Sequence, residues 1–75
     1  MKKENKVIAR IFRFARKQLE MNQRELAKQL GVAQSTLSRI ENGVDFPQET
    51  ILRKLELITQ HTVKDMVRLS RDVVS

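Results

Sequence analysis

The chain has 75 residues, no cysteine and a formal net charge of +6. At that length one domain is expected, burying only about 60% of its unfolded surface, and no separate ligand-binding or self-cleaving domain is expected within these residues. The absence of thiols excludes disulfides and thiolate metal sites; no segment has the length of a membrane span or the apolar run of a signal peptide.

The charge is unevenly placed. Residues 1–28 hold nine Lys or Arg against three Glu, whereas residues 29–75 hold six of each sign. A basic half of this kind points to a polyanionic partner. Residues 1–6, MKKENK, read as a flexible basic arm. In residues 7–19, Val7, Ile8, Ile11, Phe12, Ala15 and Leu19 fall on one helical stripe with basic residues opposite.

Residues 22–43 spell a helix, a glycine turn and a second helix. Asn22 stands where an N-cap belongs, and Glu25, three residues on, can close a capping box. Leu26, Ala27 and Leu30 recur at helical spacing, and Gly31 follows where the chain must turn out of the helix. Ala27 is small enough for two helices to cross closely through so short a turn. The second helix starts after Ala33, buries Leu37 and Ile40, and stops at Asn42-Gly43. Pro47 is expected to open a fourth helix running to Thr59 and burying Ile51, Leu52, Leu55 and Ile58. Thr62 with Asp65 starts a fifth, with Val63, Met66, Val67 and Val74 turned inward. The expected fold class is all-α, five helices and no strand, with residues 1–75 as a single domain.

At about 100° per residue, Leu37, Ile40 and Glu41 of the second helix point one way, with Thr36 at the margin. Gln34, Ser35, Ser38 and Arg39 point the other, joined by Asn42. Amide, hydroxyl and guanidinium groups can read base edges in a major groove, whereas the bland reading is a solvated helix face. A preceding helix and turn in a basic chain favour base reading.

From Ile8 to Val67 the chain resembles the lambdoid-phage repressor and Cro (lambda-repressor-like) helix-turn-helix family. The pattern is carried by Gln23, Glu25, Leu26, Ala27, Leu30, Gly31, Val32 and Ser35, then by Leu37 through Gly43, and by Pro47. The resemblance implies a compact five-helix bundle whose second and third helices form the motif, the third being the recognition helix. It would make Gln34, Ser35, Ser38 and Arg39 the base readers, and Gln23 and Asn42 phosphate clamps. Asn22, Arg24 and Arg10 are the further residues expected on phosphate. Gln23 lies in the first turn of its helix, where unpaired N–H groups attract phosphate whatever the family. The resemblance also implies an ion pair between Arg16 and Glu41 that pins the recognition helix, the alternative being an Arg16 that faces phosphate. Two residues depart from the family pattern. Ala33 stands where a Ser or Thr usually caps the recognition helix, and Glu20 replaces the glycine usually found after the first helix.

His61, the single histidine, falls in a loop without cysteine or paired carboxylates, and no base stands ready to activate Ser35 or Ser38. No catalytic set, metal site or cofactor is therefore expected. The expected function is that of a cytoplasmic, sequence-specific DNA-binding transcriptional regulator, a repressor in the bacterial nucleoid or a phage-infected host. It would bind double-stranded DNA as a homodimer reading a pseudo-palindromic operator. Leu57, Leu69 and Val73 fall outside the buried stripes and are candidate dimer contacts. Two alternatives stay open: a DNA-binding antitoxin gripping a toxin, and a helix-turn-helix adaptor for protein partners. In either, as for a repressor controlled by another protein, a second polypeptide would act on the chain.

Overall fold

The computed structural model describes residues 3–72, which form five helices and, among the described residues, no strand. These are α1 (Lys3–Leu19), α2 (Gln23–Leu30), α3 (Gln34–Glu41), α4 (Glu49–Thr59) and α5 (Val63–Asp72). The long α1 is the spine, with α3, α4 and α5 all packed against it and α2 wedged against α3 and α4. Ile11, Phe12 and Ala15 of α1 meet Leu26, Leu30, Leu37, Ile40, Leu55 and Met66 in one fully buried cluster. Ile51, Leu52, Ile58, Val63 and Val67 are partly buried and pack around it. Val74 and Val73 lie outside the described residues.

The same joint closes the first three helices. At each end a residue in the left-handed region sends its N–H back three residues, and the next residue sends its own back five. After α1 these bonds run from Glu20 N to Lys17 O (3.2 Å) and from Met21 N to Arg16 O (2.9 Å). After α2 they run from Gly31 to Lys28 and Val32 to Ala27, and after α3 from Gly43 to Ile40 and Val44 to Arg39. Gly31 (φ 74°) and Gly43 (φ 75°) adopt this conformation without a Cβ penalty. Glu20, at φ 56°, adopts it with one. The departure at Glu20 therefore leaves the turn in place and adds backbone strain to it.

Two expected boundaries are corrected. Residues 3–6 of the expected basic arm belong to α1, because Asn5 is buried and donates its side-chain amide to the Gly43 carbonyl (3.1 Å). That bond satisfies a polar group inside the fold and holds the first turn of α1 against the end of α3. Met1 and Lys2 lie outside the described residues. Pro47 does not open α4 either. It is buried one position before the extended cap Gln48, whose carbonyl accepts from Ile51 and Leu52, so the helix starts at Glu49. At the other end of α4, the Thr62 hydroxyl accepts from Asp65 N (3.1 Å) and starts α5 as its sequence suggests.

Candidate nucleic-acid interface

The surface built by α2 and α3 begins at Asn22. Its Oδ1 accepts from Glu25 N (2.8 Å), and Glu25 Oε1 accepts from Asn22 N (2.9 Å), closing the reciprocal box. This fixes where α2 starts and engages the side-chain oxygen of Asn22 in capping. Gln23, the next residue, is half-buried and donates its amide to Glu41 Oε1 across 3.4 Å, while Arg24 is exposed.

The burial of α3 divides as the 100° construction requires. Leu37, Ile40 and Glu41 are buried and Thr36 is half-buried. Gln34, Ser35, Arg39 and Asn42 are exposed, with Ser38 half-buried beside them. Asn42 donates to the Ser38 hydroxyl at 3.4 Å, tying two of these polar residues together. Ala33 takes the extended cap conformation but supplies no side-chain bond, so the leading N–H groups of α3 lack a side-chain cap.

Arg16 sets the pose of α3. Its Nε and Nη2 donate to Glu41 Oε2 (2.8 Å) and Oε1 (2.9 Å), a fork-to-fork pair joining α1 to the last turn of α3. The Glu41 side chain is only 3% exposed, so its charge depends on this partner. Of the two roles weighed for Arg16, the structure shows the scaffold pair.

A second fork, which the sequence reading missed, lies at the surface. Arg39 donates Nε to Asp45 Oδ2 (2.6 Å) and Nη2 to Asp45 Oδ1 (3.2 Å). Hydrogen bonding, aided by the charge of Asp45, raises the Arg39 pKa above its usual value. Hydrogen bonding from Arg39 holds the Asp45 carboxyl below its ordinary range, against a smaller opposing effect of desolvation. Asp45 belongs to no helical stripe, so periodicity could not single it out. The only available signal was its place two residues beyond the Asn42-Gly43 stop.

Arg10 stands apart from these groups. It donates Nε to the buried Ser70 hydroxyl (3.0 Å) and so joins α1 to α5. It belongs to an outer row on α1, with Lys6, Arg13 and Lys17 at helical spacing. Of the candidate dimer residues, Leu57 is 78% exposed and Leu69 is half-buried. Val44 and Phe46, on either side of Asp45, are exposed apolar residues that no helical stripe predicted. The Gln18 side-chain amide nitrogen donates to His61 Nε2 across 2.9 Å at the surface. Among the described residues there is no cluster of three His, Cys, Asp or Glu suited to a metal ion, and no helix is long and apolar enough to cross a membrane.

A family model described as helix-turn-helix matches residues 12–60, well over half of the chain. It spans the final turns of α1, all of α2, α3 and α4, and thus both arginine forks. No curated protein and no solved structure gives a match.

Proposed function

The chain belongs to the lambda repressor-like helix-turn-helix family of DNA-binding transcriptional regulators, and on that premise we propose that it is a homodimeric repressor reading a pseudo-palindromic operator. In this reading α3 enters the major groove, with Gln34, Ser35, Ser38 and Arg39 against base edges. Gln23 and Asn42 grip phosphates on either side, helped by Asn22 and Arg24; Arg10, tied towards α5, makes at most an outlying contact. The observation that carries the proposal is the division of α3 itself. Its apolar residues and Glu41 are buried, with Glu41 pinned by Arg16, while a polar face is left largely exposed beside the start of α2. A helix held rigidly from behind and solvent-facing in front suits groove reading, because reading needs fixed geometry.

Size supports the dimer. The domain measures 28 × 27 × 23 Å and carries one such helix, whereas recognition helices that read adjacent turns of one duplex face lie about 34–36 Å apart. Two copies side by side about a two-fold axis meet that spacing, with the exposed Leu57 as a candidate contact. Occupying a promoter in this way excludes polymerase without any further chemistry, which is the simplest route to repression.

Selection from random duplex DNA at about 0.15 M salt tests the proposal. The expected result is a pseudo-palindrome with half-sites one helical turn apart. Bulk, salt-sensitive binding with no enriched sequence overturns it.

A further inference from the structure

Arg39 is gripped from both ends by the loop that follows α3. Its carbonyl accepts from Val44 N (2.9 Å) and Asp45 N (3.3 Å), while its guanidinium donates to both Asp45 oxygens (2.6 and 3.2 Å). The carboxylate occupies the edge formed by Nε and Nη2. The remaining donors, on Nη1 and the second Nη2 hydrogen, form another fork on the far edge of the same plane. That edge matches the paired acceptors O6 and N7 that guanine presents in the major groove.

We propose that Asp45 is a specificity-determining residue of this regulator: it fixes the plane of Arg39 so that the free edge reads one guanine per half-site. The inference rests on the reading of α3 as the base-contacting helix. An arginine near the end of a helix, if left loose, swings between base edges and the nearest phosphates and discriminates poorly. Asp45 acts against both alternatives. Its two hydrogen bonds hold the guanidinium in one orientation, and its negative charge repels any phosphate that Arg39 would otherwise reach. A carboxylate within a basic interface thus costs affinity on every duplex and withholds most from those that do not offer the guanine.

The test measures dissociation constants for the selected operator and for versions substituted at each half-site position, using wild type, Arg39→Ala, Asp45→Ala, Asp45→Asn and the double variant Arg39→Ala/Asp45→Ala. Arg39→Ala is expected to erase the preference at one G·C pair per half-site. Asp45→Ala is expected to shrink the preference at that same pair about tenfold, chiefly by tightening binding to the substituted sites, with Asp45→Asn in between. The double variant should lose no more at that pair than Arg39→Ala alone, because the two residues act as a unit. Full preference in Asp45→Ala, or an equal gain on all duplexes, overturns the inference while leaving the α3 reading intact. An Arg39→Ala variant with unchanged preference at every position overturns both. Unchanged helical circular dichroism and thermal midpoint of the Asp45 variants exclude misfolding as the cause, since the carboxylate is solvent-facing.

Discussion

Arg16 and Arg39 each present Nε and Nη2 to both oxygens of one carboxylate, at 2.8 and 2.9 Å to Glu41 and at 2.6 and 3.2 Å to Asp45. Judged by their shortest contacts alone, the outer pair looks the tighter. Burial reverses that ranking for stability. Arg16 and Glu41 are 28% and 3% exposed, whereas Arg39 and Asp45 are 57% and 45% exposed. Water replaces either member of the outer pair at little loss, but nothing replaces Arg16 beside Glu41. The inner fork therefore holds α3 in place, and the outer one restricts a side chain on that helix. One piece of chemistry serves the fold in one setting and, as proposed for Asp45, selectivity in the other.

The largest effect expected from breaking this contrast is at Arg16. Arg16→Ala leaves a buried carboxylate without its partner and should lower unfolding stability by about 3–5 kcal/mol, read from a urea titration. Replacing both members, as Arg16→Met with Glu41→Leu, should recover most of that loss, because well-packed apolar side chains avoid the desolvation of two charges. A double variant as unstable as the single one would show that α3 needs the ion pair itself.

Gln23 sharpens the contrast from the side, since it reaches Glu41 at 3.4 Å and also lies in the first turn of α2. Gln23→Ala should weaken binding to all duplexes by a similar factor of about three to ten, with little change in unfolding, because phosphate contacts carry no sequence information. A position-specific change would place Gln23 among the base readers.

The smallest effect expected is with pH. The folded Asp45 carboxyl titrates below its ordinary 3.8, so the contribution of its pair is complete above that value and fades only as pH falls through the lower, folded one. The preference at the Arg39 position should accordingly be flat from about pH 5 to pH 8. A slope across that window would assign the preference to another titrating group.

What the sequence made legible, and what it concealed, follows from the range of each interaction. The box at Asn22 and Glu25, the turn at Gly31, the uncapped Ala33 and the start at Thr62 are all local, and the structure carries each where the sequence placed it. The first turn of α1 was concealed because its justification, the carbonyl of Gly43, lies 38 residues from Asn5. Pro47 read as a helix start because its φ suits one, yet the chain remains extended through Gln48. In the site, the polar face of α3 follows from periodicity alone. The pairing of Arg16 with Glu41 required a family likeness, since helical spacing shows that Glu41 faces inward but not what it meets. Asp45 gave no such cue, because loops carry no period to read.

The Arg10–Ser70 bond spans 60 residues, and the buried Met66 joins the same cluster as Ile8 and Phe12. The first of the five described helices is thus covered in part by the fifth. Until α5 emerges, that side of α1 remains open to water and to chaperones, even though α2 and α3 can already meet. A chain interrupted before Val63 would carry α2 and α3 on an unfinished core, open to local unfolding and proteolysis.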